Sequence, residues 1–221
     1  VFRNVASLVM APARAYTEMR SLTPQEAKKV LKAARGDRLE ALYVLALTSG
    51  MRRGELFALS WSNVDLENGT LKVAGALLAD GTIVPPKTLK SRRHVALTQL
   101  AIEALQRRRI IQLEERLAAS TEWDNEFDLV FANMVGNPLN PSNFSARDFP
   151  ALLRRSGVKR IRFHDLRHST ASLLLSLDVH PKIVQELLGH STIGVTMDIY
   201  SHSMPSLQEE AVTRLDTLLA P

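Results

Sequence analysis

The chain has 221 residues, 45% of them apolar and 23% charged, the mixture of a folded globular protein rather than a disordered one. It contains no cysteine, which excludes disulfide frameworks, thiolate metal sites and cysteine nucleophiles, and no run of ~18 apolar residues or export-type leader, so a cytoplasmic protein with no membrane span is expected. The formal net charge of +5 permits a polyanionic partner without identifying one.

Residues 1–20 show no sustained period and contain Pro12, so they are expected to be a linker or N-terminal arm; Val1 in place of methionine fits a fragment or a processed chain. Thr23-Pro24-Gln25-Glu26 combines an N-cap threonine, a proline at the first helical position and a glutamate three residues past the cap, which predicts a helix to about Ala34. A second helix from about Leu39 to Thr48 should bury Leu42, Leu45 and Ala46 and end at Gly50. A short helix should follow from Arg52 to Leu59, with Trp61 and Val64 closing over it as core.

Asn68-Gly69 signals a turn, and Thr70 to Val73, Thr82 to Val84 and His94 to Leu97 are expected to form a small antiparallel sheet or ribbon. Pro85 and Pro86 put the middle element at an edge or turn. Thr98 is placed to cap a long helix toward Ala119, Phe127 to Phe131 reads as a short buried segment, and Gly136, Asn137, Pro138 and Pro141 mark a loop. The last third reads as helices near 143–155, 165–177, 181–188 and 192–200, separated by Gly157, by Asp178 to His180 and by Gly189. Leu207, Val212, Leu215 and Leu218 suit one apolar face of a terminal helix over 206–221, packed on its own domain or docked on a neighbouring subunit. No internal repeat and no strong boundary is visible after residue 20.

Charge is unevenly spread. Between Ala151 and Thr170, Arg154, Arg155, Lys159, Arg160, Arg162 and Arg167 face a single acidic residue, Asp165. Lys87, Lys90, Arg92 and Arg93 form a second group on a short extended segment. Converging, these two groups would attract phosphate backbones strongly at low salt. Arg107, Arg108 and Arg109 wrap around a helix that also carries Glu103, Glu114 and Glu115, and read as ordinary solvated charge.

Four strings carry residue types suited to phosphate chemistry. In Phe163-His164-Asp165-Leu166-Arg167-His168, a helical offset of three puts His164 and Arg167 on one face, where a rigid guanidinium fork and an imidazole can grip one phosphate, with Asp165 as an N-terminal helix charge. Leu188-Gly189-His190-Ser191 puts His190 at a tight corner, ten residues before Tyr200. A tyrosine can attack phosphorus, but its ordinary pKa near ~10 demands basic help or strong positive potential. Gly50-Met51-Arg52-Arg53-Gly54-Glu55 sets an arginine at a helix start, with Glu55 placed to brace it, and Pro86-Lys87-Thr88 with Lys90-Ser91-Arg92-Arg93 puts ammonium groups in a turn, where a lysine can protonate a leaving oxygen.

In this order, SGMRRGELFALSW, PPKTLKSRRHVAL, FHDLRHSTASLLL and VQELLGHSTIGVTMDIYSH resemble the C-terminal catalytic domain of tyrosine recombinases, specifically phage-type integrases, over roughly residues 21–202. The resemblance implies an α+β, mainly α-helical fold with a small antiparallel β-sheet, a catalytic domain over 21–205 and a C-terminal helix over 206–221 as a possible intersubunit docking segment. It also implies a six-member active site of Arg52, Lys87, His164, Arg167, His190 and Tyr200, with Lys90 the alternative to Lys87. Tyr200 would be the nucleophile, Arg52 and Arg167 would hold non-bridging oxygens, and Lys87 would protonate the leaving group. His164 is a candidate to help take the tyrosine proton, and His190 a donor to phosphate. Arg53, Lys90, Arg92, Arg93, Arg160 and Arg162 are the expected DNA contacts.

The implied reaction is cleavage and rejoining of DNA strands through a 3′-phosphotyrosyl link, with no cofactor, ATP or metal. The implied partner is double-stranded DNA, held by a homotetramer of the full-length protein, the isolated fragment being monomeric. A noncatalytic DNA-binding fragment and a type IB topoisomerase-like strand transferase are the alternatives. A metallohydrolase is disfavoured by the lack of a His-Glu-x-x-His spacing.

Overall fold

The structure, a computed structural model, describes residues 20–85, 93–124, 126–189, 192–194, 196–197, 212–213 and 215–217. Helix α1 (Pro24–Ala34) starts at the expected capping box, with Thr23 and Glu26 bonded reciprocally. Helix α2 (Glu40–Ser49) ends at Gly50 in the left-handed conformation (φ 60°). The burial of α2 exceeds the expectation, because every residue from Ala41 to Leu47 is enclosed. A helix apolar all round belongs in the middle of a domain, and α2 packs against α1, α3 (Arg53–Phe57), α4 (Gln99–Ala119) and α7 (Asp165–Leu175).

The extended segments form two sheets rather than one. β1 (Val64–Asp65), β2 (Thr70–Lys72) and β5 (His94–Ala96) are antiparallel, with Leu71 opposite Val95 and both buried against the core. β4 (Ile83–Val84) instead pairs with β3 (Ala76–Leu77), a strand absent from the sequence reading. β4 ends at Val84, immediately before Pro85, where the donor pattern is interrupted.

Helix α4 is capped by Thr98, as expected, but Arg108 is not an ordinary solvated charge. Arg108 is 1% exposed, donates to the Val130 carbonyl at 3.0 Å and pairs with Glu115, two turns along the same face. Arg38 binds the other side of Glu115 and the Ala132 carbonyl. Arg107 pairs with Glu40, and Arg109 lies 5.0 Å over the Trp61 ring. The 129–132 segment is thereby fixed to α4 and to Arg38, two residues before α2. Its buried stretch begins at Leu129, whereas Phe127 is exposed, a correction to the expected boundary.

Asn140 caps a single helical turn, α5 (Pro141–Asn143), which continues through a π-helical turn over Phe144–Asp148 into α6 (Phe149–Ser156). Phe144 and Phe149 meet Phe163 edge-on at 5.0 and 5.3 Å, and Phe144 also meets Phe57 at 5.1 Å. This aromatic cluster fixes the entry to α7 and therefore the position of His164. A second small cluster of Ala171, Leu175, Val184 and Leu188 holds α8 (Pro181–Leu188) on α7 and ends at Gly189. Residues Ile193, Gly194, Thr196, Met197, Val212, Thr213 and Leu215 to Thr217 are helical, in line with the terminal helices read from the sequence. Leu207 and Leu218 lie outside the described residues. No helix among the described residues is long and apolar enough to cross a membrane.

Candidate active site

Arg52 stands just before α3, where the left-handed Gly50 reverses the chain out of the buried α2. Glu55, 6% exposed, accepts from the Arg52 backbone N–H at 2.9 Å and from its Nη1 at 2.9 Å. The same carboxylate receives a bidentate pair from Arg93, Nη1 at 3.2 Å and Nη2 at 2.9 Å. Arg52 Nη2 donates to the Gly189 carbonyl at 3.0 Å. Burial raises the Glu55 pKa, but the bonds from Arg93 and Arg52 outweigh it and hold the carboxyl below its ordinary value.

Arg167, on the first turns of α7, is 4% exposed and donates through Nη1 to the Gly50 carbonyl at 2.7 Å. Its Nη2 is buried and has no hydrogen-bond partner among the described residues. Burial first, then the charge of Arg52, pushes this guanidinium down to about 9, against the opposing pull of Glu55. It remains charged at neutral pH. Among the described residues, Arg52 and Arg93 pair with Glu55 and Arg167 feels its charge, so three guanidiniums stand against one carboxylate, an excess of two positive charges.

His164 sits at the N-terminus of α7, its ring meeting that of His168 edge-on at 5.2 Å. The packing of protein around the ring, then the nearby His168 and Arg167, hold His164 below its ordinary value, so it is neutral at pH 7. The expected helix charge, Asp165, is buried at 4% and accepts from the Arg162 backbone and guanidinium. Beside His164 opens a cleft of about 750 Å³ lined by Arg20, Arg53, Ser145, Arg160 and Arg162. Arg160 is exposed, and Arg53 donates to Ser145 Oγ at 2.6 Å in the π-helical turn.

The structure therefore brings Arg52, His164 and Arg167 into one neighbourhood and puts Arg53, Arg160 and Arg162 along the adjoining cleft. Lys87, Lys90, Arg92, His190 and Tyr200 lie outside the described residues. Arg93, expected as a DNA contact, is an internal partner of Glu55 with its side chain 9% exposed. Sequence reasoning gave no role to Arg20 or His168. The one available signal was the i,i+4 spacing of His168 from His164, which puts two imidazoles on the same helix face.

Fold and site together define a mainly helical domain whose cation-rich pocket suits an anionic group. Residues 20–206 match the family model described as the phage integrase family, and the chain belongs to that family. It is 35% identical over 217 residues to the tyrosine recombinase XerC-like protein of Caldanaerobacter subterraneus subsp. tengcongensis, an alignment covering 91% of this chain and 55% of the relative. It is similar to the crystal structure of XerA recombinase, with 26% identity and a TM-score of 0.68, covering 96% of this chain and 68% of that one. It is also similar to XerH site-specific recombinase bound to a palindromic difH substrate, with 26% identity and a TM-score of 0.66 over 87% of this chain and 52% of that one. The fold is that of the tyrosine recombinase catalytic domain, α+β and mainly helical with small antiparallel sheets. The chain spans about half the length of the curated relatives it matches.

Proposed function

We propose that the chain carries the catalytic site of a site-specific DNA recombinase that cuts and rejoins strands through a 3′-phosphotyrosyl intermediate. The observation that carries this reading is Arg167: a buried guanidinium with one Nη on Gly50 and the other without a partner among the described residues, beside the cations of Arg52 and Arg93. An unpaired buried donor is costly unless a ligand completes it. An excess of two positive charges suits the five-coordinate phosphorus of a phosphodiester under attack, where two negative charges accumulate.

In this reading Tyr200 Oη attacks the scissile phosphorus in line, forming the Oη–P bond as the bond to the 5′-oxygen breaks. The tyrosine proton passes to a base, for which the neutral His164 is the candidate, and the departing 5′-oxygen takes a proton from Lys87, with Lys90 the alternative. Arg52 and Arg167 hold the non-bridging oxygens and His190 donates to phosphate. A partner 5′-hydroxyl then attacks the phosphotyrosine, so the bond energy is conserved and the step needs no ATP or divalent metal. Arg53, Arg160 and Arg162 line the cleft that would receive flanking backbone phosphates, with Lys90 and Arg92 as further contacts. The relative XerH, solved in a post-cleavage complex with its difH substrate, supports DNA as the partner. A homotetramer on two duplexes, docked through residues 206–221, is the assembly proposed for the full-length protein, with residues 21–205 as its catalytic domain.

The test is cleavage of a nicked duplex bearing the element's junction sequence, in buffer with a chelator. Strand cutting with release of a 5′-hydroxyl end, abolished in Arg167→Ala, is the expected result. Cutting that requires an added divalent metal would overturn the mechanism, and binding without cutting in the full-length protein would leave a DNA-binding module.

A further inference from the structure

The Lys-Ser-Arg-Arg string reads as exposed basic charge, yet its last member is turned inward. Arg93 joins Glu55 with both Nη atoms, and its backbone carbonyl accepts from the Val73 N–H at 2.9 Å, which fixes it at the entry to β5. On its other side it packs against Gly189. A Cβ there would stand 3.2 Å from Arg93 Nη1 and 3.3 Å from its Cδ and Cζ, and Gly189 is left-handed at φ 68°. Gly189 in turn accepts from Arg52, and Arg52 is bonded to Glu55. The four residues close a ring of contacts that joins the start of α3, the residue following the Lys87-bearing segment, and the turn preceding His190.

We propose that Arg93 is a positioning residue of the phosphate site, holding Arg52 through Glu55, rather than a contact to DNA. The proposal rests on the phosphate-binding reading of the site given above. Reaching a DNA backbone would require Arg93 to release Glu55, leaving a 6%-exposed carboxylate with two of its four hydrogen bonds. Its planar fork spans both carboxylate oxygens, which a lysine ammonium cannot do.

The experiment compares wild type, Arg93→Met, Arg93→Lys, Arg52→Ala and the Arg52→Ala/Arg93→Met double variant in single-turnover strand cleavage, alongside DNA binding at several salt concentrations. Arg93→Met should slow cleavage by roughly 10- to 100-fold, as expected of a displaced catalytic group. It should leave the salt slope of binding unchanged and add no further loss in the Arg52→Ala background, while Arg93→Lys recovers part of the rate at most. A salt slope lower by about one would make Arg93 a phosphate contact and overturn the proposal. Multiplicative losses in the double variant would overturn it too, as an effect independent of Arg52.

Arginine side-chain NMR on the DNA-free protein keeps the proposal separate from the recombinase reading. The Arg52 guanidinium should rotate slowly in wild type and faster in Arg93→Met, and an unchanged Arg52 signal would refute the proposal even where no cleavage is seen. If Arg93→Met fails to fold, Gly189→Ala, which presses on Arg93 from the opposite side, should reproduce the cleavage defect; a wild-type rate in Gly189→Ala would count against the proposal.

Discussion

Replacing Glu55 by glutamine keeps the side chain's volume and removes its charge at the centre of four hydrogen bonds, two from Arg52 and two from Arg93. The two partners differ in what they lose. Arg52 is 44% exposed, and water takes over most of its interaction, so its share is small. Arg93 is 9% exposed, and breaking a buried pair by removing one partner costs about 3–5 kcal/mol. The lower end fits here because the glutamine oxygen still accepts one bond, giving a loss of about 3 kcal/mol and a Tm lowered by about 6–12 °C for a chain of this size. The loss has a defined pH dependence. The Glu55 pKa is lowered in the folded state, so its contribution is present above the ordinary carboxyl value of 4.5 and lost as pH falls through the folded value. Urea unfolding of wild type and Glu55→Gln at a series of pH values should show a gap that is widest at pH 7 and narrows in acid. A gap below about 0.5 kcal/mol at pH 7, the size of an ordinary surface substitution, or one that persists unchanged in acid, would refute the assignment of Glu55 as an ionised internal clasp.

Gly50→Ala should destabilise by about 2–4 kcal/mol in urea unfolding, from left-handed strain and overpacking, since φ is 60° and a Cβ would stand 2.2 Å from Leu188 Cδ2; an unchanged midpoint would contradict the tight approach of α8 to α2. Glu115→Gln should cost about 3–5 kcal/mol because it strands the buried Arg108, while the Arg108→Met/Glu115→Leu double variant should unfold later than Glu115→Gln; the reverse order would refute the buried network. The protein packed around the ring, then the nearby His168 and Arg167, lower the His164 pKa, so if neutral His164 accepts the tyrosine proton, the cleavage rate should hold down to pH 7 and fall only with a midpoint below 6.5. A midpoint above 6.5 in single-turnover cleavage would exclude that role.

What the sequence disclosed depended on whether the signal was local. The Thr23-Glu26 box, the Thr98 cap and the stop at Gly50 are short-range devices, and each helix they govern lies where expected. β3 has two residues, too few to show any alternation, so its pairing with β4 could not be read and the sheet was assembled as one. Arg108 and Arg93 were misplaced for a common reason. Each belongs to a run of basic residues that reads as surface, and each is buried by a carboxylate elsewhere in the chain, Glu115 two helical turns on and Glu55 across the fold. The Arg52–Glu55 brace, three residues apart, was accessible to spacing arguments. Family motifs placed six residues in the site, of which Arg52, His164 and Arg167 fall within the described residues.

Attack by Tyr200 on a phosphate held by the guanidiniums of Arg52 and Arg167, as proposed, is tested by trapping the reaction on a nicked suicide duplex in chelator, using wild type and Tyr200→Phe, and reading the adduct by denaturing gel and peptide mass. The expected result is a metal-independent DNA adduct on the peptide containing Tyr200, absent from Tyr200→Phe. An adduct that survives in Tyr200→Phe, or that maps to another residue, would contradict it.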